Sequence, residues 1–136
     1  MINELIKLMQ DQEKDLSELL GLLETQYKMI ISKDAFGLEG LVDKINECGK
    51  RIAKEEVERR KITGDENIKE IIDNSNNEEI EEMFSKIQTT LKNVVSQKET
   101  NEMLLKQRII FNNKMIQLMN PSREIKTYNS YGNLSR

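Results

Sequence analysis

Few side chains in this sequence are placed to do covalent chemistry. Histidine is absent, which removes zinc sites built on imidazole, Ser–His and Cys–His nucleophilic pairs, and the commonest general base. Cys48 is the only cysteine and cannot form an internal disulfide. It falls between Ile45 and Ile52 on an apolar seam and reads as a small core residue, not a reactive thiol. Residues 65–82 carry eight acidic side chains against one lysine, but the spacing of a calcium-binding loop is missing. Glu78, Glu79, Glu81 and Glu82 fall where a helix N-terminus favours negative charge. No pair of carboxylates stands in an apolar setting in the sequence. The reading is therefore not an enzyme, with no cofactor and no metal.

The residues that remain are those that could bind. Taking Ile80 as zero and about 100° per residue, Ile80, Met83, Phe84, Ile87, Leu91, Val94 and Val95 share one stripe about 120° wide. Beyond residue 98 that stripe continues through Leu105, Ile109, Ile116 and Met119, interrupted by Lys98, Asn101 and Asn112. A second set, Leu104, Phe111, Met115 and Leu118, falls at about 240°, 220°, 260° and 200°. Met103 and Ile110 lie on a further side. One core face cannot use both sets, and supercoiling shifts the frame by only about 60° over three heptads. The second set either meets a partner, a second copy of the chain or another protein, or closes an internal core. Flexible methionines at positions 103, 115 and 119 favour the partner.

The elements that position these residues are helices. Six Gly and one Pro in 136 residues cannot supply the turns of a sandwich or barrel. Leu and Ile provide 30 of the hydrophobic residues against three Phe and three Tyr, a composition suited to helices packed side by side. From Ile2 to Ser32 a 3-4-3-4 step reads Ile2, Leu5, Met9, Gln12, Leu16, Leu19, Leu23, Gln26 and Ile30, the seam of a coiled-coil-like helix. Ser32 or Asp34 can cap a second helix. Its seam reads Leu38, Leu41, Ile45, Cys48, Ile52, Glu55, Arg59 and Ile62, and Gly64 offers a stop. The charged pair in that seam predicts a hairpin better packed near its turn than at its far end. Gly21 and Gly49 either face each other across a close approach or are simply tolerated.

A short linker helix is expected near residues 66–73, with caps in Asn74–Asn77. A third long helix should follow from about residue 77 to Asn120, where the only proline, Pro121, stops it. The fold class is all-α: an antiparallel bundle of three long helices with a short linker helix and a flexible C-terminal tail. Residues 1–120 form the helical domain and 121–136 the tail. The net charge of −3 argues against nucleic acid, and apolar runs of about three residues against stable membrane insertion. The N-terminus shows no signal-peptide core, so a cytoplasmic location is expected.

In this arrangement the chain resembles the flagellar export chaperones of the FlgN type. The resemblance rests on the order of helices, on Asn101-Glu102-Met103-Leu104-Leu105, similar to the family's Asn-x-x-Leu-Leu, and on Thr127-Tyr128-Asn129-Ser130-Tyr131-Gly132, similar to its terminal Tyr-x-x-x-Gly element. Residues 65–82 have no match in the family pattern. The resemblance implies an ATP-independent chaperone that binds the C-terminal amphipathic helices of hook-associated proteins at the hook–filament junction. It prevents their premature assembly and delivers them to the flagellar export gate. Leu104, Ile110, Phe111, Met115 and Leu118 are then the expected client-binding residues, and Tyr128, Tyr131 and Gly132 the expected contacts with the gate. Self-association through the C-terminal half of the third helix stays open. The competing readings are a chaperone of the same system for another client, such as the filament cap, and a self-assembling structural coiled coil.

Overall fold

A computed structural model describes residues 2–64 and 66–120, and 93% of these are helical with no strand among them. The elements are α1 (Ile2–Ser32), α2 (Ala35–Thr63), α3 (Ile68–Ser75) and α4 (Glu78–Met119). The chain divides into two units: Met1–Asn101, and Glu102–Arg136, whose described part is the end of α4 and Asn120.

Local chemistry sets each boundary. The Asp34 carboxylate accepts from the Gly37 N–H at 2.9 Å, capping α2. A Cβ at Gly37 would press on the capping Asp34 carboxylate and come within 2.8 Å of the Met29 sulfur, so a larger residue there would have to displace both side chains. Gly64 ends α2 at φ 61° and donates its N–H to the Arg60 carbonyl at 2.8 Å, using the conformational freedom that glycine alone has at low cost. Asn67 caps α3 by accepting from the Lys69 N–H at 2.9 Å. Asn77 caps α4 by accepting from the N–H groups of Glu79 and Ile80 at 3.0 and 3.3 Å.

In the first unit α1 is the central element. Its buried residues, Leu5, Leu8, Met9, Gln12, Leu16, Leu23 and Ile30, follow the expected seam closely. The hairpin with α2 is antiparallel: Gln12 meets Glu56, and Asp15 and Glu18 meet Arg51. The first part of α4 runs parallel to α1, since Leu5 and Met9 pack with Ile80, Glu13 pairs with Lys86, and Leu16 and Leu23 pack with Val94. The up-down-up order is what short connections between long helices produce.

The far end of the hairpin is completed by α3, whose Ile71 and Ile72 bury themselves with Leu5, Met9 and Ile80 and supply apolar side chains that the α2 seam lacks there. The turn end leaves Ile31, Val42 and Phe36 exposed, Phe36 at 90%. Gly21 and Gly49 do not mark a close approach, since a Cβ added at either meets nothing within 4 Å.

The hairpin also assembles a carboxylate pair that no linear spacing indicates. Glu55 on α2 is half-buried, with a buried Oε1 that no hydrogen-bond donor reaches. Burial, then hydrogen bonding to Asp15 and the charges of Asp15 and Asp11, push its carboxyl up to about 8, against the opposing pull of Arg51. The native state therefore holds a proton that the unfolded chain releases near the ordinary glutamate range. Stability should fall as pH rises through that range towards about 8. Glu55→Gln should flatten this dependence and raise stability by about 2 kcal/mol at alkaline pH, as thermal melts across pH will show. Cys48 lies in the same hairpin, fully buried, with its thiol donating to the Asp15 carbonyl at 3.2 Å. Burial raises its pKa, in keeping with a core residue.

Candidate functional site

Helix α4 carries the candidate surface, and its two parts behave differently. Up to Asn101 it has a buried face: Ile80, Val94 and Asn101 are buried, and Met83, Phe84 and Ile87 pack at the edge of the core. Leu91 and Val95, in the same stripe, are half exposed, so the core covers this stripe only in part.

Asn101 is the polar anchor of this face. Its side chain is 1% exposed. Its Nδ2 donates to the Leu23 carbonyl and to Gln26 Oε1, both at 2.8 Å, while its Oδ1 accepts from Gln97 Nε2 at 3.0 Å. The asparagine that interrupts the apolar stripe in the sequence is therefore a satisfied buried group that pins α4 to α1.

Beyond Asn101 the apolar residues are open. Of the expected binding residues, Leu104 is half-buried, while Ile110, Phe111, Met115 and Leu118 are exposed, Phe111 at 60% and Leu118 at 76%. All five lie on this stretch of one helix. Tyr128, Tyr131 and Gly132 lie outside the described residues. The residues expected to continue the core stripe are no better covered: Leu105 is half-buried, and Ile109, Ile116 and Met119 are exposed. Both apolar sets of this segment are presented, not one.

A second apolar surface lies wholly within the first unit. A groove of about 540 Å³ is floored by Met9 and Leu16 of α1 and walled by Ile52 of α2 and by Ile87 and Leu91 of α4. Its polar rim is Gln12, Glu56 and Arg59. The Arg59 guanidinium holds the Glu56 carboxyl below its ordinary range, assisted by Gln12. The sequence reading missed this groove. Of the two polar interruptions in the α2 seam only Arg59 lines it, while Glu55 lies with Asp11 and Asp15, so the seam alone does not mark the groove.

No group of acidic or cysteine side chains among the described residues could hold a metal ion, and no described helix is long and apolar enough to cross a membrane. What the described residues present is exposed apolar helix surface, the kind of surface that helix-in-groove recognition uses. A family model described as FlgN protein matches residues 1–136, the whole chain. The chain belongs to the FlgN family. Members of that family are flagellar export chaperones and not enzymes, and their role is to bind flagellar substrate proteins. No curated protein and no solved structure matches the sequence. Within the FlgN pattern, the Asn of Asn-x-x-Leu-Leu is here the buried Asn101 that docks on α1, and the two leucines begin the open segment.

Proposed function

We propose that this chain is a cytoplasmic chaperone for hook-associated proteins and binds their C-terminal amphipathic helices along residues 102–119. The observation that carries this reading is the row of exposed apolar side chains on one helix, Ile109, Ile110, Phe111, Met115, Ile116, Leu118 and Met119. A client helix built to polymerise outside the cell has an apolar face that aggregates inside it. A reversible helical cover keeps that face from water and from other clients. Leu104, Phe111, Met115 and Leu118 form one side of the cover, with Ile110 at its border.

Light scattering on the purified chain, alone and with the C-terminal segment of a hook-associated protein, tests this directly. A discrete complex with that segment is the expected result. A stable elongated self-oligomer that ignores the segment would favour the structural coiled coil. Binding of a filament-cap segment in its place would reassign the client.

Delivery is assigned to the tail. Tyr128 and Tyr131 are two of the chain's three tyrosines and follow the last periodic residue. A tyrosine offers a large apolar contact with a polar end, and Gly132 permits close backbone approach. Deleting residues 123–136 should preserve client binding in vitro and impair client export in cells. Unchanged export after the deletion would remove the tail from the mechanism.

A further inference from the structure

Residues 102–120 hold three cations, Lys106, Arg108 and Lys114, against the single carboxylate of Glu102. The whole chain, in contrast, has a net charge of −3. None of the three cations forms an ion pair among the described residues. Their placement is unusual for a solvated face. At about 100° per residue, Arg108 falls at about 280°, between Leu104, Phe111, Met115 and Leu118 on one side and Leu105, Ile109, Ile116 and Met119 on the other. Arg108 is half-buried, and Leu104, Leu105 and Phe111 stand one turn away from it along the helix. Lys114, at about 160°, separates Ile110 and Met103 from Leu118.

We infer that this segment selects an acidic amphipathic helix, with Arg108 receiving a carboxylate inside the apolar contact and Lys106 and Lys114 pairing at its edges. This rests on the client-binding reading of the same segment and states what chemistry the bound helix must carry. A guanidinium in the middle of an apolar contact is costly unless a carboxylate meets it there, so it rejects neutral and basic helices as well as attracting acidic ones. A second copy docking through the same segment would bring three more cations against these and no surplus of carboxylates. A lipid surface needs its cations along the rim of the apolar face, whereas Arg108 stands at the centre.

The test uses the full chain and two synthetic helical peptides with the same apolar residues, one bearing Glu and one Lys at a central position within the apolar face and at the positions flanking it. Vesicles of phosphatidylcholine with phosphatidylglycerol serve as a third probe. The acidic peptide should bind at least about tenfold more tightly than the basic one, and the preference should shrink as salt is raised. Arg108→Glu should reverse it, Arg108→Lys should keep part of it, and circular dichroism should show unchanged helicity in both. Equal binding of the two peptides, binding of neither, indifference to Arg108→Glu, or binding of vesicles in place of peptides would each overturn the inference. A hook-associated segment that still binds the Arg108→Glu variant at full affinity would leave the client assignment standing and remove only the charge selection.

Discussion

Replacing Phe111 and Leu118 together by serine is expected to abolish client binding and to leave the fold untouched. Both side chains are mostly exposed in the free chain, so their removal creates no cavity, and the cost to the free protein should stay within about 1 kcal/mol. They are the most exposed apolar groups of their set and so have the most area to lose in a complex. Burying each contributes about 1.5–3 kcal/mol, so the double change should weaken binding by a factor of about 100 or more. Calorimetric titration with a hook-associated C-terminal segment measures the first effect, and a thermal melt the second. A large drop in melting temperature would show that these residues belong to a core, and the client site would then lie elsewhere, with the groove beside Ile52 and Leu91 as the next candidate.

The second large effect belongs to Asn101. Asn101→Ala removes three hydrogen bonds from a buried position and should destabilise the first unit by about 2 kcal/mol. Asn101→Asp should cost more, although the two side chains have nearly the same shape. The carboxylate lacks the Nδ2 donor, so two acceptors, the Leu23 carbonyl and Gln26 Oε1, would face a buried negative charge. Chemical denaturation of the three proteins should rank them native, alanine, aspartate. Equal stability of the native and aspartate forms would show that the contact with α1 is not formed in solution. Client binding by the alanine variant at low temperature separates an anchoring role from a direct one.

Much of the fold was legible because helical burial is periodic. The 3-4-3-4 step named the buried face of α1 almost residue for residue, and every seam position of α2 is buried or half-buried, Glu55 and Arg59 included. The start of α4 and its length followed from the Asn77 cap and from Pro121, since capping and chain stiffness act over a few bonds. The two apolar sets past residue 98 were visible for the same reason, as was the asparagine among them.

Tertiary structure decided which of these features are partners. Periodicity says that a face is apolar but not what covers it. In the stripe of α4, Ile80, Val94 and Asn101 are buried against α1, whereas Ile109, Ile116 and Met119, further along it, stay exposed. The Glu55–Asp15 pair, the filling of the hairpin's far end by Ile71 and Ile72, and the bond from Asn101 to Leu23 join residues between 40 and 78 positions apart. Such contacts depend on where helices end and how they turn back, which no local pattern encodes. The sequence by itself determined the helices and their apolar faces. The packing of α1 against its neighbours determined which faces are spent on the core and which stay open, because a helix surface loses its exposure only where a second element lies within side-chain reach.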